Sequence, residues 1–477
     1  MKHTVTFLPV SLSTQVESGA SVLEAMISAG LRPDAPCGGK GTCGKCRVTV
    51  DGHEKLACRT FVNRDLCVYT SEINESKILT GGTGVQITPD GTDLYALAFD
   101  IGTTTVVAYL LDGRTGAVLA QGSCMNPQLP FGADVISRIQ YALTEDSEIM
   151  SRCIRSAMEQ LAREIAEKSE IPLESVTSAA IVGNTAMHHL MLGIDPKPLV
   201  TPPYMPAVSE ARQYGIARIL PNIAGFVGGD TVGCMVSTRF DQAEELTLLI
   251  DIGTNGEMVL GNKNRRVACS TAAGPAFEGA KISCGMRGAE GAVDHVTLEN
   301  GQLQYHVIGN VPPVGLCGSG LLDLVANLLD LGIISESGRM KEKTYVLCPN
   351  VTLTQKDVRE VQLAKAAIRV GIELLAEAME ADVSQIQKVY LAGAFGNYMD
   401  PVSACRIGMI PPVLLNRIQP IGNAAGEGAK LCALSRDEFA YSQQLARETE
   451  FLELARLPQF QDRYIDALDF SKEKSDF

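Results

Sequence analysis

Four cysteines near the N-terminus have the spacing of ligands for a metal centre. Three lie in the glycine-rich stretch CGGKGTCGKC, residues 37–46, and the fourth follows in KLACRT; they are Cys37, Cys43, Cys46 and Cys58. Glycine supplies backbone freedom and allows N–H groups to point at sulfur. Three thiolates on one loop with a distant fourth favour a [2Fe-2S] cluster, whereas zinc sites usually present two separated cysteine pairs. A zinc site and free thiols remain open as alternatives.

The same stretch also approximates the phosphate-loop pattern G-x-x-x-x-G-K-S/T, but Cys46 stands where the pattern needs a hydroxyl. That loop must also run from a buried strand into a helix. Here LRPDAP precedes the stretch, and RVTVDG after it alternates like a strand. The context therefore argues against a nucleotide-binding loop at this position.

A second chemical pattern, an apolar strand followed by DIGT and another apolar strand, occurs at residues 97–112 and 248–263. Such a turn presents backbone N–H groups to an anion, glycine permits close phosphate approach, and threonine adds a hydroxyl donor. An aspartate at the end of a buried strand needs a cation, and Mg²⁺ held through water fits that need. The candidate nucleotide-binding residues are Asp100, Gly102, Thr103 and Thr104 in the first copy, and Asp251, Gly253, Thr254 and Asn255 in the second.

Other polar residues are candidates for the same site. Ser319, in GLCGSGLLDLV, lies at a predicted helix start, where free N–H groups suit a phosphate or ribose. Asp230, in the glycine turn GFVGGDTVG, is a candidate to orient water or Mg²⁺. Glu257 lies just past the second DIGT turn and is a candidate to position an attacking water. Asp230 and Glu257 are therefore the predicted catalytic residues.

The elements that position the cysteines are predicted from local patterns. TVTFL and LSTQV alternate apolar and polar residues like a hairpin, and Ser21 with Glu24 forms a capping box before a helix. Cys67, in the strand-like DLCVYT, lies outside the ligand pattern and is interpreted as a packed thiol. The stretch 80–93, TGGTGVQITPDGTD, has the composition of a linker.

The remainder of the chain reads as a mixed α/β assembly. Long helical patterns at residues 146–169 and 357–379 alternate with the predicted strands. The two DIGT copies lie 151 residues apart, which is too long for a solenoid repeat and indicates two related halves that face one another. The nucleotide is expected in the cleft between them.

Composition narrows the choice of partner and compartment. The 477 residues carry a formal charge of -14 and an isoelectric point near 5.0, which argues against nucleic acid and anionic membranes as partners. MKHTVTFLPV does not read as a signal sequence, and no apolar run approaches a membrane span. We expect a cytoplasmic protein, in which the 14 cysteines are unlikely to form disulfides.

These motifs resemble those of known families. The cysteine spacing resembles adrenodoxin-like [2Fe-2S] ferredoxins and implies a β-grasp fold. The repeated DIGT turn resembles the phosphate motifs of the ASKHA superfamily of sugar kinases, actin and heat-shock ATPases. LAGAFGN, residues 391–397, resembles its adenosine motif, which implies that Gly393 underlies the adenosine, although Ala394 replaces the more usual glycine or serine. The whole arrangement resembles the reductive activators of corrinoid proteins.

That resemblance implies an α/β multidomain chain: a ferredoxin-like domain at 1–75, a flexible linker at 76–94, and a two-lobed, actin-like ATPase with lobes at 95–245 and 246–477. It implies ATP-dependent one-electron reduction of a corrinoid protein from Co(II) to Co(I) in a methyltransferase system. The implied cofactors are a [2Fe-2S] cluster, ATP and Mg²⁺. The implied partners are the corrinoid protein, an upstream electron donor and a second copy of the chain, paired through the ATPase domain. An activator of another low-potential enzyme, a redox-regulated kinase and a non-enzymatic redox adaptor remain alternatives.

Overall fold

The computed structural model describes residues 2–8, 12–29, 31, 33, 35, 39, 41, 44, 46–70, 88–91, 94–132 and 134–470. Cys37 and Cys43, and the predicted linker apart from 88–91 and Leu94, lie outside these residues. Within the described ranges, none of the helices combines the length and apolar character needed to span a membrane.

The N-terminal domain is a mixed five-stranded sheet with one helix packed on it. Its elements are β1 (Lys2–Leu8), β2 (Leu12–Glu17), α1 (Val22–Ser28), β3 (Arg47–Val50), β4 (His53–Leu56) and β5 (Leu66–Thr70). The strand order is β2-β1-β5-β3-β4, with β1 and β5 parallel and the other neighbours antiparallel. This arrangement is the predicted β-grasp fold, and the predicted hairpin is β1 with β2.

Local sequence signals explain the elements of this domain. The predicted capping box is present, because Ser21 Oγ accepts a hydrogen bond from the Glu24 N–H while the Glu24 carboxylate accepts one from the Ser21 N–H. Strand β5 alternates, with Leu66 and Val68 buried and Cys67 exposed. The interpretation of Cys67 as a packed thiol is therefore wrong, since the two-residue period of the strand turns it to the solvent face.

The first lobe of the remaining chain is built on a six-stranded sheet in the order β10-β11-β9-β6-β7-β8. Its elements are β6 (Tyr95–Ile101), β7 (Thr105–Asp112), β8 (Val118–Met125), α2 (Val135–Thr144), α3 (Ser147–Lys168), β9 (Val176–Gly183), α4 (Thr185–Leu192), β10 (Arg212–Tyr214), β11 (Ala217–Ile219) and α5 (Gly229–Thr238). Helices α2, α3 and α4 bury their apolar faces in one core with this sheet.

The second lobe is built on a six-stranded sheet in the order β21-β20-β12-β13-β14-β22. Its strands are β12 (Thr247–Ile252), β13 (Gly256–Gly261), β14 (Arg266–Thr271), β15 (Ala292–Glu299), β16 (Gln302–Val307), β17 (Gly315–Leu316), β18 (Thr344–Cys348), β19 (Val351–Thr354), β20 (Lys388–Ala392), β21 (Ile418–Gly422) and β22 (Glu450–Phe451). Its helices are α6 (Gly318–Asp330), α7 (Gln355–Ala378), α8 (Gly393–Tyr398), α9 (Pro401–Arg406), α10 (Ala424–Leu434), α11 (Arg436–Glu448) and α12 (Phe460–Asp466).

The two lobes repeat one topology, as the duplicated motif predicts. In each, an antiparallel meander (β6-β7-β8 or β12-β13-β14) is extended on the side of its first strand by a parallel strand, β9 or β20. A DIGT turn joins the first two strands of both meanders. The predicted mixed α/β, two-lobed architecture is therefore confirmed.

Helices α5 and α10 join the lobes at the base of the cleft. They share a core with residues of both sheets, including Val107 and Val259. Their backbones approach so closely that a Cβ on Gly428 would lie 2.1 Å from the Gly233 carbonyl oxygen. Glycine at this crossing therefore sets the separation of the two helices.

The described end of the predicted linker is attached to the second lobe. The Asp90 N–H donates to the Leu434 carbonyl, and the Asp90 carboxylate accepts from the Arg436 N–H at 3.0 Å. These contacts tie residues 88–91 to the end of α10. The bounds predicted for the domains otherwise remain predictions.

Candidate functional site

The N-terminal domain places two of the predicted cluster ligands side by side. Cys46 precedes β3 and Cys58 lies in the short 3₁₀-helix Ala57–Arg59 after β4, so the β3-β4 hairpin brings both to one end of the sheet. Their sulfur atoms are 3.3 Å apart, well beyond the S–S bond length of about 2.05 Å. Both side chains are buried, and the Ala57 N–H donates to the Cys46 carbonyl at 2.7 Å. Two buried thiols at this separation fit ligands of one metal ion.

The loop around these sulfurs uses glycine where the backbone requires it. Gly39, Gly41 and Gly44 have φ values of +80°, +73° and +68°, in the region that side chains other than glycine rarely adopt. A Cβ on Gly41 would also lie 2.1 Å from Arg59 Nε. These three glycines therefore have the backbone conformations that a loop wrapped around a cluster would use. Cys37 and Cys43 stay predicted ligands outside the described residues.

The second group of candidate residues lies where the two lobes meet. Asp100 and Asp251 occupy equivalent positions on β6 and β12, next to the DIGT turns. Glu257, on β13, is the cross-strand partner of Asp251. Asp230 is in the first turn of α5, after the N-cap Gly228, and not in a glycine turn as predicted. The helix dipole at this position favours the negative charge of Asp230.

Electrostatic coupling shows that these carboxyl groups form one cluster. Burial, and then the charge of Asp230, raises the pKa of Asp100 to about 7, while a hydrogen bond from Asn423 opposes the change. Burial, then the charges of Asp230 and Asp100, raises the pKa of Asp251 to about 7. Burial raises the pKa of Asp230 to about 6, and burial with Asp230 and Asp251 raises that of Glu257 well above its ordinary value. Burial and mutual repulsion therefore disfavour full ionisation of the cluster.

We expect the metal-free protein to lose stability as the pH rises from about 4 to about 7. The folded state holds protons on Asp100 and Asp251 over a range in which the unfolded chain, with pKa values near 3.8, has released them. A shift of three units on one group corresponds to about 4 kcal/mol, and solvent access to the cleft lowers the realised value. Thermal unfolding in EDTA between pH 5 and pH 8 measures the effect. The unfolding temperature of Asp251→Asn should fall less steeply with pH than that of the wild type. If the two pH profiles ran parallel, Asp251 would not be a group with a raised pKa.

The sequence predicted that backbone N–H groups of the DIGT turns would face an anion, but two of these groups form hydrogen bonds within their own turns. The Gly102 N–H donates to the Thr105 carbonyl at 2.9 Å, and the Gly253 N–H to the Asn255 carbonyl at 2.8 Å. These two amides serve their own turns and do not face an anion. The residues left to donate to a phosphate are Thr103 and Thr104 in the first lobe, and Thr254 and Asn255 in the second.

Gly393 and Ser319 reach the cleft in different ways. Gly393 follows β20 with a φ of +79°, and a Cβ there would lie 2.5 Å from Asp251 Oδ1. Only glycine therefore lets α8 begin beside this aspartate. Ser319 is buried in the first turn of α6, with Oγ 3.5 Å from Cys317 Sγ. The side chain of Ser319 thus faces the start of its own helix. Ser319 can therefore bind a nucleotide only through the backbone N–H groups at the N-terminus of α6.

Arg138 is a component of the site that the sequence reasoning missed. It is fully buried on α2, where its guanidinium donates to the Thr103 carbonyl and, at 2.9 Å, to the Gly132 carbonyl. Burial lowers its pKa to about 10, so it stays charged at neutral pH. No carboxylate among the described residues lies within salt-bridge distance of it. This buried cation beneath the first DIGT turn is stabilised at longer range by the charges of Glu278 and Asp134, and it favours an anion bound near that turn.

Asn423 is a second missed component, at the N-cap of α10. Its Oδ1 accepts from the Gly426 N–H at 2.9 Å, while Nδ2 lies 3.2 Å from Tyr109 Oη. Its side chain also hydrogen-bonds to Asp100 and lowers the pKa of that carboxyl. Asn423 therefore links the helix between the lobes to the carboxylate of the first turn. A sequence signal existed in GNAAG, where an asparagine precedes a helix.

The carboxylate cluster does not form a direct metal cage. Within the described ranges, no three His, Cys, Asp or Glu side chains converge closely enough to hold a metal ion. Carboxylates grouped at a wider spacing suit a cation that keeps most of its water ligands, as Mg²⁺ does. The donor set therefore fits water-mediated Mg²⁺ better than a dehydrated ion.

Family comparisons cover almost the whole chain. Residues 245–477 match the family described as the C-terminal domain of RACo, the ASKHA domain, and residues 95–243 match the RACo middle region. Residues 5–63 match the 2Fe-2S iron-sulfur cluster binding domain.

Individual proteins resemble the chain over similar lengths. It is 38% identical to the corrinoid activation enzyme RamQ of Eubacterium limosum over 415 residues, 78% of this chain and 70% of that protein. It is 25% identical to the [Co(II) methylated amine-specific corrinoid protein] reductase of Methanosarcina barkeri over 79% of this chain and 77% of that one. A solved reductive activator for corrinoid, iron-sulfur protein shares 29% identity and superposes with a TM-score of 0.72, covering 98% of each chain.

Proposed function

The chain belongs to the RACo family of reductive activators of corrinoid proteins, and we propose that it reduces the Co(II) form of a corrinoid protein to Co(I) at the expense of ATP. The observation that carries this proposal is the presence, on one chain, of paired cysteine sulfurs at 3.3 Å and of two DIGT turns that meet at one cleft. The family's activity requires both an electron carrier and a cleft that binds a nucleotide.

The N-terminal domain would supply the electron. When bound, a [2Fe-2S] cluster supplies a one-electron couple, and ATP hydrolysis supplies free energy for uphill delivery. A gap of 100 to 200 mV costs about 2 to 5 kcal/mol for one electron, which a nucleotide-driven domain closure can provide. Cys37, Cys43, Cys46 and Cys58 would hold the cluster, and burial of Cys46 and Cys58 would exclude water from it.

The cleft would hold MgATP. Asp100 and Asp251 would bind the water ligands of Mg²⁺ from opposite lobes, and the cation would offset the burial and the repulsion that raise their pKa values. Thr103, Thr104, Thr254 and Asn255 would donate to the phosphates above Arg138. Gly393 would lie under the adenosine, and Ser319 would contribute through the N-terminus of α6.

Glu257 and Asp230 would act on the attacking water. In the metal-free protein burial favours the neutral form of Glu257. A cation in the cleft lowers the pKa of nearby carboxyl groups, so Glu257 would accept a hydrogen bond from water only with Mg²⁺ bound. Its place opposite Asp251 on the neighbouring strand supports this role.

We also propose that the protein works in the cytoplasm, where unpaired cysteines persist, that it receives electrons from an upstream donor, and that it forms a homodimer through the ATPase domain. The acidic charge of -14 favours a partner with a basic docking face.

Mixing the reduced protein with a corrinoid protein tests the function. We expect dithionite-reduced, cluster-loaded protein to convert a purified methyltransferase corrinoid protein from Co(II) to Co(I) in the presence of MgATP. The Co(I) absorbance is followed with ATP, with ADP and without nucleotide. Absence of Co(I) with every candidate corrinoid protein would contradict the proposal. If Co(I) formed equally fast without nucleotide, the reduction would not depend on ATP.

A further inference from the structure

Glu278 is a carboxylate that the predicted motifs do not account for. It ends the 3₁₀-helix Pro275–Glu278, which follows β14 in the second lobe. Its Oε2 accepts a hydrogen bond from Thr254 Oγ1 at 2.7 Å, and its Oε1 accepts a longer one from Thr104 Oγ1 at 3.4 Å. One carboxylate therefore contacts both DIGT turns, one in each lobe.

Glu278 lies close enough to the buried Arg138 and to Asp251 for its charge to act on both. Its negative charge favours the protonated form of the buried Arg138 and disfavours ionisation of Asp251. Arg287, on the segment that follows, also reaches the first lobe, with Nη1 3.0 Å from Met125 Sδ. Glu278 thus places a negative charge near a buried cation and between two hydroxyl donors, as a phosphate group would.

A phosphate and this carboxylate cannot use the same donors. A threonine hydroxyl has one proton to donate, and Thr254 gives it to Glu278 at 2.7 Å. A phosphate oxygen that takes this proton must displace the carboxylate. Two anions held side by side would also repel one another, as the neighbouring carboxyl groups already do.

We propose that Glu278 is an internal competitor for the phosphate site. Its carboxylate occupies the hydroxyl donors of both DIGT turns in the nucleotide-free protein, and a polyphosphate chain displaces it on binding. This inference rests on the proposed function, because it assumes that the two turns bind the phosphates of ATP. The longer bond to Thr104 breaks first, which frees the first lobe from the 275–278 segment.

Calorimetric titration of the full-length protein with ATP, inorganic tripolyphosphate and AMP tests the inference. We expect Glu278→Gln to bind ATP and tripolyphosphate about 10-fold more tightly than the wild type, because a competing charged hydrogen bond is removed. AMP, with one phosphate, should gain less. Glu290→Gln is the matched control, since Glu290 is an exposed residue of the same region and its replacement changes the net charge equally.

The outcomes separate this inference from the proposed function. Unchanged or weaker ATP binding by Glu278→Gln overturns competition, as does an equal gain in the Glu290→Gln control. If Glu278→Gln binds ATP with unchanged affinity but no longer hydrolyses it, Glu278 would instead act on the attacking water. That result would also overturn the inference of competition. A wild-type protein that binds no ATP would contradict the proposed function itself.

Hydrogen–deuterium exchange on the wild type gives a readout that needs no variant. Glu278 is held next to amides that close the 3₁₀-helix, with the Gly279 N–H donating to Ala276 and the Ala280 N–H to Pro275. Binding of ATP should speed exchange in a peptide covering 273–281 while slowing it at 100–106. Slower or unchanged exchange at 273–281 would overturn the inference.

Discussion

Replacing Cys58 with serine is expected to abolish ATP-dependent Co(I) formation while leaving ATP binding intact. The thiol of Cys58 lies 3.3 Å from that of Cys46 and is buried, so no neighbouring water or side chain replaces it easily as a ligand. Loss of a direct ligand should lower the rate by more than about 100-fold, since loss of an outer-shell partner alone costs up to about that much. The binding cleft belongs to a separate part of the chain and keeps its residues.

Three measurements on Cys58→Ser distinguish loss of the cluster from loss of nucleotide binding. They are the visible absorbance after anaerobic reconstitution, the ATP affinity and the rate of Co(I) formation. Cys67→Ser is the matched control, because Cys67 is exposed on β5 and lies outside the predicted ligand set. It should retain the absorbance and the rate. A Cys58→Ser protein that still reduces Co(II) at the wild-type rate would show that this residue does not hold the electron source.

Replacing Asp251 with asparagine is expected to lower ATP hydrolysis by about 100- to 1,000-fold, the range for removing one preorganised electrostatic group. The asparagine keeps the shape of the side chain but removes the charge that would hold Mg²⁺ through water. It also relieves the repulsion with Asp230 and Asp100, so the metal-free variant should unfold at a higher temperature than the wild type. Lost activity with gained stability is the signature of a functional charge.

Phosphate release and thermal unfolding in EDTA check this prediction together. Asp466→Asn is the control, because Asp466 is exposed at the end of α12 and its replacement makes the same change in net charge. Asp466→Asn should change neither the rate of phosphate release nor the unfolding temperature. Hydrolysis at the wild-type rate in Asp251→Asn would exclude this carboxylate from the nucleotide site, and a lower unfolding temperature would contradict the electrostatic account.

Local patterns in the sequence predicted the elements that carry the site. The apolar runs in LAFDI and LLIDI identified β6 and β12, and their repeated DIGT turn predicted both the duplicated lobes and the position of the cleft. The capping box at Ser21 and the glycine-rich cysteine loop were equally readable. In each case the signal lies within a few consecutive residues, where backbone sterics and hydrogen bonding act directly.

The features that sequence reasoning missed depend on contacts between distant segments. Arg138 stands on the apolar stripe of α2 between Val135 and Ile139, and only the fold shows that its charge lies under Thr103. Glu278 lies outside the motifs that the sequence patterns single out. It contacts Thr104 from 174 residues away, a pairing that no local pattern encodes.

The carboxylate cluster also bears on the mechanics of the two lobes. Asp100 and Asp251 are carried by different sheets, and the charge of Asp100 raises the pKa of Asp251 across the cleft, after burial and the charge of Asp230. The lobes share an apolar core at α5 and α10, so this repulsion acts at the mouth against cohesion at the base. Without a bound cation, this repulsion favours separation of the lobes near the two aspartates. Under the proposed function, a divalent cation bound between Asp100 and Asp251 would attract both carboxylates and would draw the two lobes together.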